Sequence, residues 1–146
     1  MIRSNSGGYR LAMVLIMGIP SFLMFAMSLL HPVIGDFGFA GDFLSATCHR
    51  LPSRSLSLPW GISGLCARCT AFWFAMAAGS FCFGLFLTGI PFWAGFPALL
   101  PLITDGLLQY FTAYESTSFL RLLSGMAAGA GITLLLFGKT GTSKRV

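Results

Sequence analysis

Charge is the scarcest commodity in this chain. Only 9% of its 146 residues are charged, four acidic against nine basic. A domain that faces water carries about 25% charged residues, so a water-exposed surface cannot be assembled from this composition. Also missing are a phosphate-binding glycine loop, a serine-triad elbow, a CxxCH haem attachment and the metalloprotease helix motif, which removes several chemistries that a sequence can reveal by spacing alone. The basic residues are scattered and build no basic helix. The net charge of +5 is therefore no sign of nucleic-acid binding, and anionic lipid headgroups are a sufficient partner for it.

What the chain does have is hydrocarbon. Hydrophobic residues make up 55% of it and the mean hydropathy is +0.82. Fifteen Phe and eighteen Gly fit a lipid bilayer as solvent, since Gly is commoner in membrane helices than in others. The length bounds the chain to one domain, residues 1–146.

The expected class is all-α, a polytopic membrane protein with four transmembrane helices. Residues 11–30 carry no charge and as a helix span roughly 30 Å, the thickness of the hydrocarbon core. A cleaved leader has an apolar core of only about 7–15 residues, so this reads as a retained helix. Pro20 is expected to kink it and His31-Pro32 to end it. Residues 71–104 are again free of charge. That is too long for one helix, and Thr88-Gly89-Ile90-Pro91 is the obvious turn between two. The second helix then covers about 65–87 and the third about 91–111, bent or partly broken at Pro97 and Pro101; the fourth covers about 118–137. Between the first and second lies a loop, residues 31–64, long enough to suggest structure or function of its own. Asp42-Phe43-Leu44 could start a short surface helix running into Cys48, with irregular chain beyond. Both termini fall on one side. Counting Arg3, Arg10, Lys139, Lys144 and Arg145 against Arg50, Arg54, Arg68 and Arg121 favours cytoplasmic termini by five to four.

This topology gathers the polar residues at one membrane face. Cys48, His49, Arg54, Cys66, Arg68 and Cys69 sit on the long loop or the start of the second helix. The third helix returns to that face with Asp105, Gln109 and Glu115, and Arg121 enters the fourth. Cys66-Ala-Arg-Cys69 places two thiols on one helix face at an N-terminus, where the helix dipole and Arg68 favour thiolate. With Cys48 and His49 they form a set of three thiolates and one imidazole typical of tetrahedral zinc, and iron is the other candidate. Adjacent residues do not easily share one metal, so Asp105 could replace Cys48 or His49 as an oxygen ligand, and His49 reads equally well as a packing residue. Asp105 costs about 2.5–3.5 kcal/mol at mid-membrane and needs a partner. Arg121 in a first helical turn opposes the dipole, and Glu115 or Asp105 would relieve it. A structural ion pair between the third and fourth helices is as good an account of these charges as a substrate or proton role.

Other features have plainer readings. Residues 115–118 read partly as a helix cap through Ser116 or Ser118. Cys82 reads as a small buried hydrophobe and His31 as an interfacial helix end. Gly125-Met-Ala-Ala-Gly129 reads as close helix packing rather than dimerisation. Trp60, Trp73 and Trp93 suit membrane-interface anchoring.

Cys48-His49-Arg50-x-Pro52-x-Arg54-Ser55, Cys66-Ala67-Arg68-Cys69-Thr70, Pro101 with Asp105-Gly106-x-x-Gln109, Glu115-Ser116 and Leu120-Arg121-x-x-Ser-Gly125 follow one another in that order. Over roughly residues 45–131 this series of blocks resembles the prokaryotic integral-membrane family called domain of unknown function 2085. Ala71 and Arg50 depart from that pattern, which often has Gly and Gln there. The resemblance implies a multi-pass membrane protein in which these positions, Ser55 among them, matter; it implies no activity.

Three function classes follow. The first is a membrane protein with a Cys/His site holding zinc or iron, with Arg54 and Arg68 binding an anion or tuning the thiolates. The second is a membrane thiol–disulfide oxidoreductase using Cys66 and Cys69 and passing electrons to a quinone, similar to the bacterial disulfide-forming quinone reductases but lacking their second cysteine pair. The third is a non-catalytic subunit of a membrane complex, with another membrane protein or a second copy as partner.

Overall fold

The computed structural model describes residues 8, 11–12, 14–35, 38–85, 90–112 and 114–138. A π-helical turn, Val14–Gly18, leads into helix α1, Ile19–Ile34. Pro20 sits in the first turn of α1, directly after the π-helical turn, so the proline falls where the helix changes its hydrogen-bonding pattern. The helix does not stop at His31-Pro32 as expected. Pro32 rides within its last turn, and the helix ends at Gly35, which takes φ +74° and donates its N–H to the His31 carbonyl at 2.8 Å.

The segment from 31 to 64 is more ordered than the irregular chain expected for it. Helix α2 covers Gly38–Thr47 and a 3-10 turn covers Pro52–Arg54. Then β1, Ser55–Leu58, pairs antiparallel with β2, Gly61–Cys66, in a two-stranded sheet. The all-α expectation is corrected to a mostly helical chain carrying a small hairpin. The hairpin lies on the end of α1. Trp60 Nε1 donates to the Leu29 carbonyl at 2.9 Å. Gly61, at φ +137°, passes the Pro32 ring so closely that a Cβ there would lie 2.6 Å from Pro32 Cβ. A hairpin this short is marginal alone, and α1 supplies the surface that holds it.

Helix α3, Ala67–Leu85, continues directly from β2. After a 3-10 turn at Phe92–Ala94, helix α4 covers Gly95–Phe111, and α5 covers Ser118–Phe137. Helix α4 is continuous through both prolines: Pro97 falls in its first turn and Pro101 within it. The expected turn at residues 88–91 is described only at Ile90 and Pro91, and both termini with their five basic residues lie outside the described residues. The close helix packing expected of Gly125 and Gly129 is present. A Cβ on Gly125 would overlap the Arg68 carbonyl oxygen, and one on Gly129 that of Phe72, so α5 presses backbone to backbone against α3.

Among the described residues, two helical stretches, Val14–Ile34 and Ser118–Phe137, are long and apolar enough to cross a membrane. Buried positions include Ser21, Ser28, Thr70, Ser80, Ser124 and Thr133, while Leu, Ile and Phe side chains on α1, α4 and α5 stand exposed. Hydrocarbon outside and small polar residues inside is the distribution lipid solvation demands, because apolar contact with lipid carries no penalty and small residues let helices approach.

Candidate metal centre

Three elements deliver three thiols. Cys66 is the last residue of β2, and Cys69 lies in the first turn of α3. Cys48 follows α2 and donates its backbone N–H to the Leu44 carbonyl at 3.1 Å, which extends that helix just far enough to aim the side chain inward. The Sγ atoms of Cys48, Cys66 and Cys69 all lie within 4.8 Å of one another, and all three cysteines are free and half-buried. Met24 of α1, Leu44 of α2 and Leu65 of β2 form a buried cluster on which Cys48, Cys69 and Trp73 pack. Beside Cys69, Thr70 Oγ1 and Ser28 Oγ share a buried hydrogen bond of 3.0 Å that ties α3 to α1.

Three sulfur atoms so close are electrostatically uncomfortable as three thiolates and form a natural nest for one cation. Tetrahedral Zn–S bonds of about 2.3 Å put sulfurs about 3.8 Å apart, so only a small contraction of the present arrangement is needed. Hydrogen bonds from Cys66 and then Cys69 hold the Cys48 thiol well below the ordinary thiol range, outweighing desolvation, with backbone hydrogen bonds at Arg50 and Cys66 adding to the effect.

From the cysteines a polar chain crosses the bundle. Arg68, between the two α3-proximal thiols, makes a salt bridge to Asp105 Oδ2 on α4. Gln109, one turn on, donates to the same oxygen at 3.4 Å and also to Ser116 Oγ. Arg121 Nε of α5 donates to that hydroxyl at 3.0 Å. Asp105, Ser116 and Arg121 are all buried. Glu115 takes a different place: it is exposed and faces Arg54 across 3.9 Å, a contact worth little in water.

The two proposed non-thiol ligands stand apart from the sulfurs. His49 is exposed and, among the described residues, neither it nor Asp105 joins the sulfur group. Ser55 donates to the Leu51 carbonyl and pairs with Cys66 in the strand register. Cys82, expected to be buried, is exposed on the outer face of α3. Ser116 does not cap α5; Thr117 does, accepting from the Leu120 N–H at 3.4 Å. The oxygen that meets Arg121 is therefore a serine hydroxyl, not the carboxylate expected. His31 also exceeds its plain reading. It contacts the Arg50 guanidinium, while Arg50 itself adopts φ +50°. Ser28 carries no sequence signal, and Ser116 and Thr70, though part of the motif blocks, carry none for these partners, since a lone hydroxyl has no spacing signature.

An apolar-skinned helical bundle with buried hydroxyls and a thiol cluster at one end defines a class, the helical membrane proteins. Within it, the chain belongs to the family described as predicted membrane protein, domain of unknown function 2085, whose model matches residues 48–135. An uncharacterised protein of Methanothermobacter thermautotrophicus is 32% identical over 93 residues, covering 60% of this chain and 82% of that protein. No solved structure matches the chain.

Proposed function

We propose that this chain crosses the bilayer four times, through α1, α3, α4 and α5, and holds a transition metal, zinc or iron, on Cys48, Cys66 and Cys69 at one membrane face. The observation that carries the reading is the mutual approach of three sulfur atoms to within 4.8 Å from three separate elements. Chance burial of small residues gives no reason for that convergence. Helices α3 and α4, of 19 and 17 residues, rise roughly 28 and 26 Å, which reaches the lower range for a span. The fourth ligand is His49, Asp105 or an exogenous molecule. Three protein ligands with one position left for another molecule is the pattern of a metal site that does chemistry. Cytoplasmic termini would put this site on the outer side.

Elemental analysis of the protein purified in detergent tests this. One equivalent of metal is expected, falling to background in Cys48→Ala, Cys66→Ala and Cys69→Ala. A folded wild-type protein that is free of metal and does not take up zinc or iron would overturn it.

A second reading, a thiol–disulfide/quinone oxidoreductase, is favoured by one feature. Cys48 lies beside both thiols of the Cys-x-x-Cys pair, so its thiolate could attack a Cys66–Cys69 bond, forming a mixed disulfide and releasing the other sulfur as thiolate. Counting titratable thiols before and after reduction separates the two readings, because only this one requires a reversible bond.

A further inference from the structure

We infer that Arg121 binds the phosphate of an anionic lipid at the start of α5, one singly charged lipid such as phosphatidylglycerol per chain. The site uses no atom of the metal centre; it rests on the reading of α5 as a membrane span.

Two arginines and one carboxylate share the polar chain that crosses the bundle. Asp105 is matched by Arg68, which leaves Arg121 as an unbalanced cation. Arg121 is 6% exposed, and an arginine stays protonated whatever its surroundings. Its Nε donates to the neutral hydroxyl of Ser116 at 3.0 Å. Among the described residues its two Nη atoms have no hydrogen-bond partner, and no carboxylate lies within ion-pair distance of the guanidinium. Glu115, the neighbour of Ser116, faces Arg54 instead. A buried charge without a counter-charge is strongly unfavourable, so an anion is missing. The fully buried polar atoms without a partner, among the described residues, are Arg68 Nε, Ser80 Oγ and Asp105 Oδ1. The Arg121 Nη atoms are not among them and keep surface that a ligand oxygen can reach.

Position selects the anion. Arg121 lies in the first turn of α5, which starts at Ser118, and so about 4.5 Å into the helix. Gly125, one turn deeper, meets the Arg68 carbonyl, so this end of α5 is level with the start of α3. For a span that begins at Ser118, that is the depth of the headgroups. The guanidinium fork takes two phosphate oxygens at once, and the positive end of α5 adds to the attraction. Phe119, Leu120 and Leu123, flanking Arg121 on α5, are 72%, 41% and 51% exposed. Hydrocarbon around the cation favours a phosphate that carries acyl chains over free phosphate. A zwitterionic lipid brings no net charge and leaves the imbalance standing.

The test is native mass spectrometry of the full chain released from detergent, with phosphatidylglycerol and phosphatidylcholine of identical acyl chains as probes. One phosphatidylglycerol per chain should be retained, at least about fivefold in preference to phosphatidylcholine, the effect of one cation on an anionic lipid. Arg121→Gln should lose that preference, and Arg121→Lys, which keeps the charge, should keep most of it. Added inorganic phosphate should not displace the lipid. A second measurement needs no variant: phosphatidylglycerol with a photoreactive headgroup should label the unmutated chain within residues 114–124. Equal retention of the two lipids, an unchanged preference in Arg121→Gln, displacement by inorganic phosphate, or labelling confined to other segments would each overturn the proposal. Flotation with phosphatidylcholine vesicles tests membrane integration by itself and elemental analysis tests the metal, so a failure here is distinct from a failure of either.

Discussion

Arg68, between Cys66 and Cys69 in sequence, meets Asp105 of α4 in a salt bridge, with the carboxylate side chain 4% exposed and the arginine 22%. The pair answers two needs together. It neutralises the acid that α4 carries, and it fixes the first turn of α3, the turn that presents Cys69.

Breaking this pair from one side should be costly. Asp105→Ala leaves the arginine without its carboxylate, and removing one partner of a buried pair costs about 3–5 kcal/mol. Denaturation followed by circular dichroism in detergent should show that loss for Asp105→Ala, and a smaller one for the double variant Arg68→Met/Asp105→Leu. A double variant as unstable as the single one would show that packing, not the unpaired charge, sets the cost.

Ser116 and Thr117 adjoin in sequence but carry different loads. Ser116 Oγ is the buried acceptor for Gln109 and Arg121, while exposed Thr117 caps α5. Ser116→Ala strands two donors and should cost about 1–3 kcal/mol, and it should also loosen metal retention through Asp105. Thr117→Ala removes a cap worth about 0.5–2 kcal/mol and should leave metal retention unchanged. Dialysis against a weak chelator compares the two.

Gly125 has no room for a side chain, because its Cα faces the Arg68 carbonyl and the Ala71 methyl. Gly125→Val must push α5 away from the start of α3. Overpacking of this kind costs about 1–3 kcal/mol, and here the displaced backbone belongs to the residue between the thiols. Expression should fall and the metal content of what folds should drop, whereas Gly106→Ala, which meets nothing within 4 Å, should behave as wild type.

In metal-free protein, Cys48 should alkylate at a pH where an ordinary thiol is silent. Its pKa is lowered, chiefly by hydrogen bonds from Cys66 and Cys69, so the reactive thiolate persists as pH falls below the usual thiol range and disappears only at lower pH. Mass-spectrometric mapping of iodoacetamide labelling against pH should place the wild-type Cys48 profile at lower pH than that of Cys66→Ala/Cys69→Ala. Superimposed profiles would remove the role assigned to the neighbouring thiols.

The uncharged runs made the helices legible: α5 occupies the stretch expected for the fourth helix, and Asp105 could be placed near Arg68 because a helix starting at Pro91 must return to that face. The hairpin was not legible. Its alternating Ser55-Leu56-Ser57-Leu58 and the Pro59-Trp60-Gly61 turn are short local signals, and the strands hold only because Trp60, Gly61 and Gly64 rest on Leu29, Pro32 and His31 of α1. Cys48 and His49 are neighbours with opposite surroundings, one half-buried beside two thiols and one exposed. Spacing could not separate them, since the chain direction after α2 decides which side chain turns inward. Ser116 reads as a cap because serine favours caps; the helix begins one residue later than that reading needs.

X-ray absorption at the metal edge of the purified protein reads the proposed shell itself. The account predicts three sulfur scatterers at about 2.3 Å with one lighter N or O neighbour, and loss of one sulfur or of the metal altogether in Cys48→Ala. A shell of N and O atoms only, or a wild-type spectrum unchanged by Cys48→Ala, would contradict it.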